Sequence, residues 1–419
     1  MPGNQPIGMS RRGIIRRTGL ALAGVAASSR TALSDSASAA ETGSSPSMRE
    51  QGAPVTENPY GIPSVFEKSV VRIPGGKQPF PTAAHLLTPL QDLHGIVTPN
   101  GLHYIRDHGG TPSIDPDRHR LLVHGMVDRP LSFGMDDLMR FPSVSRLHFL
   151  ECSGNTPLYK SGKPDWSVQM THGLLSCAEW TGVRLADVLA EAGVKPGAAW
   201  MLAEGADAAA LTRSIPVAKA LDDAILAYAQ NGERLRPEQG YPLRLFLPGY
   251  EGNTNIKWLR RLKLGDQPFE TREETSRYSS LMPNGIARQF NFTMEVKSVI
   301  TRPSPGHGPK QPGFCEITGL AWTGHGRIVR VEVSTDNGAT WKDAELQEPV
   351  LSKCLTRFRL PWVRDGGPAM LQSRATDETG TVQPTRESLL AARGSNYYYH
   401  YNAITTWRMD PSGETTLAL

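Results

Sequence analysis

The sequence lacks the short motifs that mark the commonest cofactor sites. Its 419 residues include only four cysteines, and no two of them form a Cys-x-x-Cys pair. A zinc ribbon, an iron–sulfur cluster and covalently attached c-type haem therefore have no sequence basis. Nor does the chain contain Gly-x-Gly-x-x-Gly after a strand, a Gly-Lys-Ser/Thr phosphate loop or a His-Glu-x-x-His helix. These absences argue against nicotinamide, nucleoside triphosphate and zinc-protease chemistry.

The chain also lacks an excess of cations once its first 40 residues are set aside. The formal charge is +4, but 40 of the 45 cations and 40 of the 41 anions lie beyond residue 40. The excess belongs to a leader with Ser10-Arg-Arg-Gly-Ile-Ile-Arg16, an apolar stretch at 20–27 and Ala37-Ser-Ala-Ala40. That stretch is far shorter than the roughly 20 residues of a membrane span. The pattern predicts a twin-arginine signal over 1–40, rather than a disordered basic tail, with folded export to the periplasm and no nucleic-acid partner.

The rest of the chain is long enough for two or three domains with ample core. Residues 41–80 are predicted to form an extended arm. Strand-like runs alternate with helical patterns such as Leu185 to Ala192, which predicts an α+β or α/β domain over 81–285. Alternation from Arg327 to Ser334, followed by Asp336-Asn-Gly338, predicts a hairpin, and helical patterns stop near Phe290. Residues 286–408 thus read as an immunoglobulin-like β-sandwich, leaving 409–419 as a tail.

One cysteine lies where a loop exposes its side chain. Cys152 ends the apolar run Leu147–Leu150 and precedes Ser-Gly-Asn155. A buried small hydrophobe is the ordinary interpretation, and a nucleophile or metal ligand is the alternative. The thiol alone does not separate the two interpretations.

Several motifs around Cys152 occur together in one order. They are Arg106-Asp-His108, Cys152-Ser-Gly-Asn155, Ala178-Glu-Trp-Thr-Gly182, Ser214-Ile-Pro216, Gly240-Tyr-Pro-Leu-Arg244 and Ile256-Lys-Trp258. With Gly319 to Ile328 and Ser334 to Trp341, the chain from about 80 to 408 resembles the sulfite oxidase family of molybdenum enzymes. The resemblance implies an α+β molybdopterin-binding domain followed by an immunoglobulin-like dimerisation domain. It also implies molybdenum–molybdopterin as cofactor and a homodimer formed through the second domain.

The resemblance assigns roles to individual residues. Cys152 supplies the thiolate to molybdenum, and soft thiolate suits such a metal. The pterin site comprises His108, Asp207, Ser214, Gln239, Arg244 and Lys257, with Arg244 and Lys257 facing the phosphate. The substrate side comprises Arg106, Tyr278 and Arg393. For Arg393, packing against the aromatic residues at 397–401 is the competing interpretation.

Two departures from the family pattern bear on the substrate. The family has an arginine five residues after the ligand cysteine and a histidine five before the pterin arginine, whereas this chain has Pro157 and Gln239. Losing a cation weakens recognition of free sulfite and leaves room for a larger group. Together with Pro248-Gly-Tyr-Glu-Gly-Asn253 and Asn396-Tyr-Tyr-Tyr-His-Tyr-Asn402, this resembles the molybdenum subunits of sulfane dehydrogenases of the Sox thiosulfate-oxidising system. The implied substrate is sulfane sulfur on a carrier-protein cysteine, and the implied electron acceptor is a separate periplasmic cytochrome c, since no haem is expected on this chain.

Three alternatives stay open at this point. A sulfite dehydrogenase with a cytochrome c acceptor differs mainly in substrate. Periplasmic methionine-sulfoxide reductases of the same superfamily are smaller and lack a sandwich. A cofactor-free structural protein would be expected to have lost the ligand, and Cys152 is present. In an oxidising compartment Cys315 and Cys354 are either bridged or two buried thiols.

Overall fold

The described residues of this computed structural model are 51, 54–76, 80–156, 162–395 and 398–418. The described residues from 65 onward form one compact unit, and the described residues up to 64 belong to another. The predicted export signal and Pro157 lie outside the described residues. Within the described residues, no helix combines the length and apolarity needed to cross a membrane.

The first part of the compact unit mixes short helices with sheets. Its strands are β1 (Ile73–Pro74), β2 (His85–Leu87), β3 (Ile105–Arg106), β4 (Leu121–Gly125), β5 (Leu131–Phe133), β6 (Ser143–Glu151), β7 (Leu175–Arg184), β8 (Trp200–Gly205), β9 (Thr212–Pro216), β10 (Ile225–Gln230), β11 (Glu233–Arg234), β12 (Arg244–Phe246), β13 (Leu259–Gly265), β14 (Ser280–Leu281) and β15 (Ala287–Arg288). Its helices are α1 (Met135–Leu138), α2 (Val168–His172), α3 (Leu185–Ala192), α4 (Val217–Asp222) and α5 (Arg272–Thr275).

Two five-stranded sheets dominate this part. One has the order β11-β10-β7-β6 with β12 paired to β10, and the other has the order β5-β4-β13-β8-β9. Helix α3 has the predicted bounds, because Leu185, Val188, Leu189 and Ala192 recur on one face and are fully buried. Gly193 ends it with a φ of 73°, a conformation that costs glycine little.

The second part is a β-sandwich. Its elements are β16 (Lys297–Arg302), β17 (Gly313–Trp322), β18 (Ile328–Ser334), β19 (Lys342–Asp343), β20 (Glu345–Gln347), β21 (Thr356–Arg364), β22 (Ala369–Asp377), α6 (Arg386–Arg393), β23 (Thr406–Met409) and β24 (Thr415–Ala418). Sheets β16-β17-β21-β20 and β19-β18-β22-β23-β24 share one core that contains Trp322, Phe358 and Trp407. The predicted fold class, an α+β domain followed by a sandwich, is confirmed. The predicted hairpin joins β18 to β19, with positive φ at Asn337 and Gly338.

The C-terminal part differs from the prediction in two respects. The predicted tail at 409–419 contains β24, which pairs with β23 and completes a sheet, so it is part of the sandwich. Helix α6 follows Thr385, whose hydroxyl caps it by accepting a hydrogen bond from the Ser388 amide. A helix there was not predicted, because the segment has a mostly polar surface and buries only Leu389.

The cysteines match neither expectation for Cys315 and Cys354, which was either a disulfide between them or two buried thiols. All four are free thiols, and Cys315 is only partly buried on β17. Cys354 instead lies with its Sγ 3.4 Å from the Sγ of Cys177 on β7. Both of these thiols are buried in the core between the sandwich and the first part of the unit.

Candidate active site

One cavity brings together most of the predicted site residues. Those that line it are Arg106, His108, Cys152, Asp207, Gln239, Arg244, Lys257 and Tyr278. They come from loops after β3, β6 and β8, from the segment around β12, and from the loops before β13 and β14. Residues up to about 170 positions apart thus meet at one cavity, although β6 and β12 belong to one five-stranded sheet, β8 and β13 to the other, and β3 to a three-stranded sheet with β1 and β2.

Cys152 lies directly after β6, in a loop that is anchored on both sides. The amide of Asn155 donates to the carbonyl of Cys152 over 2.9 Å, and the Cys152 amide donates to Leu174 over 3.0 Å. The preceding residue, Glu151, accepts hydrogen bonds of 2.7 Å from both Lys297 Nζ and Trp322 Nε1 of the sandwich. Burial raises the pKa of the Cys152 thiol. A thiolate at this position therefore needs a metal or a nearby cation to stabilise it.

Arg244 and Lys257 are two cations that form no ion pair among the described residues, although beside the larger effect of burial Asp107, Asp207 and Glu238 lie near enough to act on the pKa of Lys257. Arg244 donates to the carbonyls of Gln239 and Asn255 over 2.9 and 3.2 Å, while its Nε has no partner among those residues. Lys257 donates to the Glu238 carbonyl over 3.0 Å. Burial lowers the pKa of Arg244 to about 10 and that of Lys257 to about 8. Two such cations at one wall favour a bound anion.

Arg106, His108 and Tyr278 line the side of the cavity that opens to an outer cavity. The outer cavity is open to solvent and shares these three residues with the inner one. The Tyr278 hydroxyl lies 3.3 Å from His108 Nε2. Burial, with Arg106 nearby, lowers the pKa of His108 to about 4, so its ring is neutral near pH 7. Tyr278 has a φ of 50°, a strained conformation that functional sites often retain.

The structure does not bring Ser214 or Arg393 to this cavity. The hydroxyl of Ser214 donates to Glu274 over 2.9 Å and accepts from the Phe269 amide, so it holds α5 against β9. Arg393, the last residue of α6, forms a 2.5 Å ion pair with Glu295. Both assignments came from the resemblance alone, and in the structure each side chain has a carboxylate partner elsewhere.

Sequence reasoning missed other residues that line the cavity. Tyr104, Asp107, Asn253, Asn255 and Trp258 belong to this group. Four of them are direct neighbours, or one residue removed, of predicted residues such as Arg106 and Lys257. Gly252-Asn253 belongs to a motif that carries the resemblance, but its approach to Cys152 depends on the fold: a Cβ on Gly252 would lie 3.2 Å from the Cys152 Cα.

Comparison with known proteins identifies the family of this chain. Residues 108–273 match the family described as oxidoreductase molybdopterin binding domain, and residues 288–406 match the Mo-co oxidoreductase dimerisation domain. Chicken sulfite oxidase is 34% identical over 69% of this chain and 68% of that protein. The chain belongs to the sulfite oxidase family.

Two further comparisons, with a mammalian enzyme and with a solved structure, extend the likeness of this sulfite oxidase family member. Mouse mitochondrial sulfite oxidase is 32% identical over 82% of this chain and 65% of that protein. The crystal structure titled as the sulfane dehydrogenase SoxCD from Paracoccus pantotrophus superposes with a TM-score of 0.87 at 44% identity. That match covers 90% of this chain and 97% of the solved chain. The chain spans about half to two thirds of the length of the curated sulfite oxidases it matches.

The residues of this family member fit a molybdenum–molybdopterin cofactor. Its terminal phosphate would be held by Arg244 and Lys257, whose charges have no carboxylate partner within the described residues, and its metal by the thiolate of Cys152. Asp207 Oδ1 has no hydrogen-bond partner among those residues and lines the same cavity, so it can accept from an N–H of the pterin. Among the described residues, no cluster of three or more His, Cys, Asp or Glu side chains could hold a metal.

We expect the stability of the cofactor-free protein to depend on Lys257 in alkaline solution. The pKa of this side chain is lowered by burial from 10.5 to about 8. Between these two values the unfolded chain binds a proton that the folded chain does not, so the free energy of unfolding rises with pH. Denaturation of wild type and Lys257→Met between about pH 7 and pH 10 checks this. Wild type should gain stability relative to the variant as the pH rises, and a constant difference would contradict the predicted pKa.

Proposed function

We propose that this chain is the molybdenum-carrying subunit of a periplasmic sulfane dehydrogenase that oxidises carrier-bound sulfane sulfur during thiosulfate oxidation. The observation that carries the proposal is the likeness to SoxCD at 44% identity across nearly the whole of that chain. The arrangement of Cys152, Arg244 and Lys257 around one cavity supports the cofactor that such an enzyme needs. Electrons then pass to a separate cytochrome c subunit.

The reaction requires an electron acceptor, a source of oxygen and a site for an anion. Each oxidation step converts R–S–S⁻ and water into R–S–SO⁻, two protons and two electrons. When bound, the molybdenum cofactor supplies oxygen transfer and accepts the electron pair. Arg106 attracts the anionic sulfur group, and the Tyr278 hydroxyl donates a hydrogen bond to oxygen at the reacting centre. Neutral His108, whose Nε2 lies 3.3 Å from that hydroxyl, can donate to the tyrosine oxygen through Nε2–H, which leaves the tyrosine proton available to the reacting centre.

A carrier-bound substrate is supported by the shape of the entrance. The outer cavity is open to solvent and leads to Arg106 and Tyr278, and its wall also contains Arg272 and Arg277. A small free dianion does not need so wide an approach, whereas a cysteine side chain on another protein does. The alternative, a sulfite dehydrogenase with a cytochrome c acceptor, keeps the same cofactor and the same cations.

Location, export and assembly belong to the same proposal. The Arg11-Arg12 leader favours folded export to the periplasm by the twin-arginine pathway. The dimerisation domain supports a homodimer. The lack of a Cys-x-x-Cys-His motif in the sequence favours a haem on another chain.

The decisive experiment compares two substrates with one enzyme preparation. The exported protein is purified with its cytochrome, its molybdenum is quantified, and turnover is measured on free sulfite and on a persulfidated carrier protein. The proposal expects molybdenum in the protein and a higher kcat/KM for the persulfide. Preference for free sulfite would favour the alternative, and metal-free active protein would exclude both.

We expect Arg106→Ala to act mainly on substrate affinity. Arg106 is part-buried at the junction of the two cavities and donates to the carbonyl of Asp107 over 2.5 Å, which aims its guanidinium. A charged hydrogen bond contributes about 1.5–3 kcal/mol, so the apparent KM should rise about 10- to 100-fold with a smaller change in kcat. Steady-state kinetics on the persulfidated carrier measure both constants. Exposed Arg146, bonded only to its neighbour's carbonyl in the described structure, gives the control Arg146→Ala, and equal KM values in the two variants would contradict the assignment.

A further inference from the structure

We propose that His400 is a positioning residue that fixes the Cys152–Gly154 loop and the Tyr278 ring from the C-terminal end of the chain. His400 follows α6 and precedes β23, so it belongs to the sandwich half of the sequence. The inference deepens the proposed function, because it concerns the same site. Part of its test is made on cofactor-free protein and does not depend on that function.

His400 contacts the Cys152–Gly154 loop and the buried carboxylate of Glu251 at the same time. Its amide donates to the carbonyl of Ser153 over 2.8 Å. Its ring Nε2 donates to Glu251 Oε2 over 3.0 Å. The exposed fractions of His400, Ser153 and Glu251 are 2%, 0% and 1%, so water does not compete for these bonds.

The contacts of His400 close into a ring of five residues. Glu251 Oε1 accepts from Arg213 Nη1 over 3.2 Å, and the same nitrogen donates to the amide oxygen of Asn253. Asn253 in turn donates to the Ser153 hydroxyl over 3.0 Å. The ring therefore returns to the residue next to Cys152, and displacing any member releases the others.

Arg213 connects the ring to Tyr278. The guanidinium carbon lies 5.3 Å from the centre of the Tyr278 ring, a cation–π contact with a fully buried cation. Tyr399, next to His400, packs its ring 5.3 Å from the same tyrosine. Tyr278 is thus held between the buried arginine and the aromatic residue that precedes His400.

The segment before His400 also forms a wall beside the thiol. A Cβ placed on Gly154 would lie 3.6 Å from Tyr398 Cε1 and 4.0 Å from Cys152 Sγ. The tyrosine edge and the sulfur therefore flank the same face of Gly154. A shift of His400 would move this wall together with the loop.

The charges of the ring explain why a donor is needed at position 400. Arg213 is paired with two buried carboxylates, those of Glu251 and Glu274. Burial opposes ionisation of Glu251, but Arg213 and the bond from His400 lower its pKa overall. Without the imidazole, Glu251 Oε2 loses its hydrogen-bond donor, which a buried carboxylate tolerates poorly. Arg213 would then reorient toward Oε2 and away from Tyr278.

The test compares a variant that keeps the donor with one that removes it. His400→Gln retains an N–H at the position of Nε2, whereas His400→Leu retains volume alone. Both are made in a Cys315→Ser background, because Cys177 and Cys354 are buried and alkylation then reports Cys152. The first readout is the alkylation rate of Cys152 in full-length cofactor-free protein. The second is kcat and KM of the molybdenum-loaded enzyme on the persulfidated carrier.

Loss of positioning has a defined signature. We expect His400→Leu to raise the alkylation rate about 10-fold and to lower kcat about 10- to 100-fold with KM changed less than about 3-fold, as small misplacements do. His400→Gln should stay within about 3-fold of wild type in both readouts. A matched control is His148→Leu, because His148 Nδ1 donates to the Lys353 carbonyl over 3.2 Å across the same pair of domains but outside the ring.

Three outcomes would overturn the inference. They are wild-type alkylation and kcat in His400→Leu, equal damage in His400→Gln and His400→Leu, and an effect of His148→Leu as large as that of His400→Leu. If the loaded enzyme shows no sulfur oxidation while alkylation follows the expected order, the proposed function fails and the positioning role stands.

Discussion

Cys152→Ser is expected to abolish turnover while leaving the protein folded. The thiol lies at the wall of the cavity with Arg244, Lys257 and Tyr278, in a loop held by backbone hydrogen bonds that a hydroxyl does not disturb. A serine oxygen is a harder ligand with a far higher pKa, and it does not replace a soft thiolate at molybdenum. Since even outer-shell changes cost metal sites about 10- to 100-fold, the loss of kcat should be at least about 100-fold.

Two measurements separate a lost ligand from a lost fold. The free energy of unfolding of the cofactor-free variant should stay within about 1 kcal/mol of wild type, because one sulfur is replaced by one oxygen in a partly exposed loop. The molybdenum content, and the turnover per bound molybdenum, then show whether the metal site is intact. Cys315→Ser, at a partly buried thiol on β17, provides the matched control and should keep both. Normal turnover in Cys152→Ser would refute the ligand assignment.

The site was predictable where its residues lie in short contiguous motifs. Cys152, Arg244 and Lys257 lie in Cys152–Asn155, Gly240–Arg244 and Ile256–Trp258, three of the motifs that carry the family resemblance. Helix α3 was predictable for a related reason, because Leu185, Val188, Leu189 and Ala192 carry the helical period over about two turns. Such local patterns can be read from the sequence because residues a few positions apart keep the same spacing in the folded helix.

The assignments that failed to reach the cavity depend on partners far away in the sequence. Arg393 pairs with Glu295, and Ser214 pairs with Glu274, at separations of 98 and 60 residues. Nothing near either residue indicates which carboxylate the topology will bring to it. Strand β24 was missed for a different reason, because the four residues Thr415–Ala418 are too few to display alternation against chance.

The hydrogen-bonded ring around His400 was also not predictable from the sequence, because its members too are distant in the chain. Its members, Ser153, Arg213, Glu251, Asn253 and His400, come from four separate segments, and each taken alone reads as a polar loop or strand residue. They come together because the segment around His400, in the C-terminal part of the sandwich, packs against the first domain. The second domain, which matches the family's dimerisation domain, therefore also contacts the Cys152–Gly154 loop.

Replacing Arg244 is expected to separate cofactor retention from the stability of the chain. In the cofactor-free protein Arg244 is a charge with an exposed fraction of 2%, held by two carbonyls and by the Trp180 ring 4.8 Å from its guanidinium carbon. No carboxylate pairs with it among the described residues, and burial lowers its pKa to about 10. Such a group is costly without an anion and strongly favourable with one.

Arg244→Met keeps the length of the side chain and removes the charge and the fork of donors. Losing bonds from a charged group to a phosphate should lower molybdenum content at least about 10-fold. The midpoint of denaturation of the cofactor-free chain should change little or rise, because the desolvated charge is gone while two carbonyls lose their donor. Arg244→Lys should fall between Met and wild type in molybdenum content, since a point charge replaces a bidentate fork. Metal analysis and urea denaturation of the three proteins measure both quantities. Full molybdenum content in Arg244→Met, or a large fall in stability with unchanged molybdenum, would show that this arginine supports the fold rather than an anion, and the buried cation pair would then not mark the pterin phosphate.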